Sequence, residues 1–123
     1  MDADFLDAMV PESSFKHREE AIGAGRVVME LGGELDMFVS PALAARFHEL
    51  ADHDVVVDLN EARYIDTHVL ETFVSAQREL QAHHHSLAVV ADSPYARRTI
   101  ELTGLDETLR ISRSRDEALA RLG

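Results

Sequence analysis

The chain has 123 residues, 46 % of them hydrophobic, enough apolar material for one packed domain and little more. Its 12 Lys and Arg stand against 23 Asp and Glu, a formal charge of −11, so direct nucleic-acid binding is not expected and a basic protein surface is the better match. It has no cysteine, no apolar run near the roughly 18 residues of a membrane span and an acidic start unlike a signal peptide; disulfides, thiol chemistry and membrane insertion are therefore not expected, and a cytoplasmic location is.

Residues 1–12 carry Asp2, Asp4, Asp7 and Glu12 together with Pro11, and read as an acidic, poorly ordered tail that leaves 13–123 as one folded domain. A weak edge strand is expected around Ser14 to Arg18, followed by a turn from Glu19 to Gly25. Val27 to Leu31 is an apolar run closed by Gly32-Gly33 and reads as a strand. Ser40-Pro41 then opens a helix, with Ser40 as the expected cap and Leu43, Phe47 and Leu50 as its apolar stripe.

Val55 to Leu59 is the clearest strand, apolar enough to be buried on both faces, with Asp58 inside it near its C-terminal end. Asn60 to Asp66 reads as a connection, and a second helix is expected from Thr67 to Ala82 on the stripe Leu70, Phe73, Val74, Gln77 and Leu80. Leu87 to Val90 is another buried strand, and Ser93-Pro94 begins a helix that stops at Gly104. Leu109 to Ile111 reads as a short strand. Ser114 with Glu117 three residues later forms a capping box for a last helix. Strands alternating with helices imply α/β layering with parallel pairing.

Three segments match a known pattern. Gly33-Glu34-Leu35-Asp36 follows the first apolar strand, Tyr64-Ile65-Asp66-Thr67 precedes the second helix, and Thr103-Gly104-Leu105 follows the third. In this order, over roughly residues 26 to 122, the chain resembles the STAS family of anti-sigma-factor antagonists. The resemblance implies a mixed sheet of four or five strands packed against about four helices. It also implies an antagonist that binds an anti-sigma factor with a serine/threonine-kinase fold and is switched by phosphorylation. The hydroxyl after the family's aspartate is the phosphoacceptor, and Thr67 holds that position here. The next Ser/Thr of the family pattern is His68, its glycine is Val69, and the glycine after Leu70 is Glu71.

Asp36, Asp66, Thr67, His68, Val69 and Glu71 are accordingly the candidate partner-binding residues, facing a basic patch of the partner. Thr67 has two roles open: helix cap or phosphoacceptor. Asp36 either bonds its own turn or meets a basic group, and Asp58 can bond its loop as easily as a ligand. The alternatives are an unphosphorylated adaptor subunit of a stress-sensing or phospholipid-transport assembly, and a domain sensing a nucleotide or another small ligand. Neighbouring His83, His84 and His85 point in different directions from regular structure, so no metal is expected there. With no nucleophile elbow, phosphate loop or His-Glu-x-x-His, neither an enzyme nor a cofactor is expected.

Overall fold

The chain runs β1 (Lys16–Ala21), β2 (Arg26–Leu35), a 3-10 turn (Met37–Val39), α1 (Ser40–Glu49), β3 (Asp54–Asp58), β4 (Ala62–Ile65), α2 (Thr67–Ala82), β5 (Leu87–Val90), α3 (Pro94–Thr103) and α4 (Arg115–Leu122). The structure, a computed structural model, describes residues 15–23 and 25–122. The acidic segment 1–12 and the Ser14 end of the expected first strand lie outside the described residues.

The sheet has the order β1-β2-β3-β5, with β4 paired to β2. Only β1 is antiparallel to its neighbour. Alternation along the strands feeds two apolar layers. Met29, Leu31, Val55, Val57, Leu87 and Val89 face α1, α2 and α3 through Leu43, Phe47, Leu70, Phe73 and Ile100. Val28, Val56, Ala88 and Val90 face α4 through Ala118, Leu119 and Leu122. The mixed five-stranded sheet with four helices is the expected architecture.

β2 does not stop at Gly32-Gly33. It continues to Leu35, pairing first with β3 and then with β4 along the same edge. Gly33 sits at φ 75° beside a register shift and donates to the Glu61 carbonyl at 3.0 Å. A Cβ on Gly32 would stand 3.0 Å from the Glu61 Cβ. The glycines thus let the 59–61 crossover lie against β2, and the stretch read as a plain connection becomes β4.

Three local expectations change. Leu109 and Arg110 lie in a turn, Ile111 is irregular, and only Ser112 bridges to Val90. Ser40 caps no N–H among the described residues, its buried hydroxyl has no partner among them, and α1 continues directly from the 3-10 turn. β1 runs on to Ala21, through residues read as a turn. The other caps are as expected: Ser93 accepts from Ala96 N–H, Gly104 is left-handed at φ 76°, and Ser114 accepts from Glu117 N–H at 3.1 Å.

Asp58 serves the fold. Its buried carboxylate accepts the Asn60 N–H at 2.9 Å and the Arg115 Nε–H at 2.7 Å, tying α4 to the sheet. The histidine triplet ends α2 with divergent side chains: His83 Nδ1 donates to the Glu79 carbonyl, whereas His85 Nδ1 lies 3.2 Å from Asp54. Among the described residues no helix is long and apolar enough to cross a membrane.

Candidate functional site

The parallel pairing of β2 with β4 sets Leu35 opposite Ile65, so Asp36 and Asp66 leave the C-terminal ends of neighbouring strands side by side. The Asp66 N–H donates to the Leu35 carbonyl at 2.8 Å and holds the two exits together. Each aspartate then caps the helical turn that follows it. Asp36 accepts the Phe38 N–H at 3.0 Å, and Asp66 accepts the His68 N–H at 2.8 Å. Asp36 therefore performs the turn-bonding role open to it.

Thr67 is the first residue of α2 and is exposed. It is not the cap: Asp66 takes that position with extended backbone, φ −77° and ψ 147°. An aspartate cap satisfies a free N–H and leaves the next hydroxyl to solvent. His68 is exposed beside it, and Glu71 is exposed one turn on. Val69 is a correction. Its side chain is fully buried with Leu70 and Phe73 in the main core, so it is not available at the surface. Helical geometry explains this: residue 69 falls on the stripe face with 73 and 76.

Asp66 is the electrostatic centre. The His68 backbone N–H and then the His68 ring hold its carboxyl below the ordinary range. In return, the hydrogen bond and charge of Asp66 raise the His68 imidazole, with Nδ1 2.7 Å from the carboxylate. The Tyr64 hydroxyl reaches the same carboxylate at 3.3 Å, and the charge of Asp66 raises its pKa. Asp66→Asn keeps a capping oxygen but removes the charge. The His68 titration, followed by NMR of its ring protons, should then fall toward the ordinary histidine range. An unchanged His68 midpoint would exclude this pairing.

Several apolar side chains surround the corner. Met37 is 48 % exposed, Phe38 74 %, Tyr64 46 % and Tyr95 39 %. Tyr95, in the first turn of α3, also accepts the Ile65 N–H at 2.9 Å and so closes the free edge of β4. On the other side of Thr67 an open groove of about 340 Å³ runs between α1 and α2, lined by Ser40, Ala44, His68, Glu71, Ser75 and Glu79 among others. Sequence reasoning missed the aromatic residues. The available signal was their position, since Phe38 and Tyr64 each lie two residues from a capping aspartate.

Parallel strands that end in two aspartate-capped turns, with a hydroxyl opening the central helix, define an STAS-type domain. The sequence model of the STAS domain matches residues 16–118, and the chain belongs to this family. Anti-sigma-F factor antagonist RsfB of Mycobacterium tuberculosis is 32 % identical over 98 residues, covering 77 % of this chain and 80 % of RsfB. An anti-sigma-B factor antagonist of Staphylococcus epidermidis is 28 % identical over 87 residues, covering 68 % of this chain and 81 % of that one. Among solved structures, an anti-sigma factor antagonist from Mycobacterium paratuberculosis superposes with a TM-score of 0.77 at 28 % identity, over 89 % of this chain and 94 % of that one. Unphosphorylated SpoIIAA has the same fold, with a TM-score of 0.72 at 20 % identity over 85 % of this chain and 94 % of that one.

Proposed function

We propose that this protein is an anti-sigma-factor antagonist: it binds an anti-sigma factor of serine/threonine-kinase fold and is released when that partner phosphorylates Thr67. The observation that carries this reading is the exposed Thr67 hydroxyl at the first residue of α2, beside a carboxylate held ionised. His68, Val69 and Leu70 carry no hydroxyl, so Thr67 offers the aliphatic hydroxyl of the first turn of α2. The acidic groups around it, Asp36, Asp66 and Glu71, favour a partner with a basic patch, as does the net charge of −11.

Phosphorylation adds about −1.5 to −2 charges and three acceptor oxygens. At a helix N-terminus the dipole tolerates that charge, so α2 survives. A partner seated over the corner must instead bury the phosphate next to Asp66. The fold stays and the complex dissociates. The phosphoryl chemistry belongs to the partner, and this chain contributes a geometry.

Thr67→Glu should therefore weaken binding to the anti-sigma factor by about tenfold or more, whereas Thr67→Ala should stay close to the parent protein. Isothermal titration with the purified partner measures both. If both variants bind like the parent, the switch is excluded and a phosphorylation-independent adaptor role takes its place.

A further inference from the structure

We infer that Phe38 is the apolar anchor by which this protein seats in its partner: an aromatic side chain entering a pocket of the anti-sigma factor, inside an acidic surround that meets the partner's basic rim. The inference rests on the function proposed above and names the group that supplies the affinity there.

Three observations carry it. The other described phenylalanines, Phe15, Phe47 and Phe73, are at most 6 % exposed, whereas Phe38 is 74 % exposed. A ring left in water contributes nothing to folding and is available to a second surface. Its backbone is also fixed in advance. Asp36 accepts the Phe38 N–H through its carboxylate and the Val39 N–H through its carbonyl, and Val39 is wholly buried beneath the turn. A ring on such a pre-set turn loses little backbone freedom on binding.

Phe38 also does not stand alone. Of the five large apolar residues exposed among the described residues, Met37, Phe38, Tyr64 and Tyr95 gather at the strand ends around Asp36 and Asp66, and Leu102 lies apart on α3. An apolar centre with a charged margin is the anatomy of a binding hot spot. The sign of that margin selects the occupant. A second copy of this chain would bring Asp36, Asp66 and Glu71 against their own equivalents, whereas a basic rim would pair with them. Phe38 lies two residues beyond Asp36, and Thr67 follows Asp66 on the adjoining strand exit, so one footprint holds both anchor and switch.

The test measures binding of the parent protein, Phe38→Ala, Leu102→Ala and Thr67→Glu to each purified anti-sigma factor of the source genome, by calorimetry in low and moderate salt. Thermal melting checks the fold of each variant. Phe38→Ala should melt like the parent and lose at least about tenfold in affinity. Leu102→Ala, equally exposed but outside the patch, should bind within about twofold of the parent, and parent affinity should fall as salt is added. Full affinity in Phe38→Ala with loss in Thr67→Glu overturns the anchor and leaves the switch standing. Loss in Phe38→Ala with full affinity in Thr67→Glu keeps the anchor and removes the switch. If the parent binds none of these proteins, or if sedimentation shows a dimer that Phe38→Ala dissolves, the inference is overturned.

Discussion

Phe73→Ala should destabilise the protein by about 3–5 kcal/mol, the range for removing a fully buried aromatic ring and leaving a cavity. Phe73 is completely buried and meets Phe47 edge to face, with ring centroids 5.8 Å apart at 86°. This contact joins α2 to α1 at the middle of the main core, and such pairs add about 0.5–1.5 kcal/mol beyond their buried area. Phe47 also lines the groove between α1 and α2 that reaches His68. The loss appears as a lower denaturant midpoint in urea unfolding. A midpoint unchanged from the parent would mean that α2 is not held by this packing.

Arg46→Ala should be comparably costly, for an electrostatic reason. Arg46 is buried in α1, and its Nε and Nη2 donate to the two Glu19 oxygens at 2.7 and 2.5 Å, while His17 Nε2 lies 2.6 Å from Glu19. The network fastens the edge strand β1 to α1. Burial pushes the Glu19 carboxyl up, but the Arg46 hydrogen bonds and His17 outweigh it and bring the pKa from 4.5 to about 2. A depressed carboxylate pKa stabilises the fold above the unfolded value. That contribution, roughly 3 kcal/mol from the shift, is complete above about pH 4.5 and disappears as pH falls toward 2. Without Arg46 the half-buried Glu19 carboxylate loses its guanidinium partner and keeps only His17, a loss of about 3 kcal/mol at neutral pH. The gap between parent and variant should narrow when urea unfolding is repeated at about pH 3, as Glu19 of the unfolded chain takes up its proton. Equal stability at neutral pH would contradict this account of the network.

Long apolar runs and terminal signals made much of the fold legible in the sequence. β3 and β5 follow from Val55 to Val57 and Leu87 to Val90, α2 from its stripe, α3 from Ser93, Pro94 and Gly104. The remaining elements depend on contacts distant in sequence. β4 has four residues, two of them exposed, and exists because β2 continues past its glycines to receive it. Leu109 to Ile111 has strand-like composition, but its N–H groups donate to the nearby carbonyls of Leu105, Asp106 and Glu107, and only Ser112 bridges to the outer edge of β5. At the site, the order Asp-Thr identified Thr67, but either residue could cap. Asp66 takes the role because it ends β4 in extended geometry. Val69 looked like a surface substitution only because the family's glycine has no side chain to bury. Phe38 and Tyr64 carried only the signal of their spacing from Asp36 and Asp66, because two exposed rings far apart in sequence make no periodic pattern and only strand pairing brings them together.

Thr67 phosphorylation is the most direct measurement. The protein is incubated with the proposed partner, a purified anti-sigma factor, and ATP, then digested with trypsin, and the 64–78 peptide is sequenced by mass spectrometry; it also contains Thr72, whose hydroxyl is tied to the His68 carbonyl, and Ser75. One phosphate, on Thr67, is expected, together with failure of the modified protein to rebind the partner. A phosphate on Thr72 or Ser75 instead, or a phospho-Thr67 protein that still binds at full strength, would contradict the proposed switch.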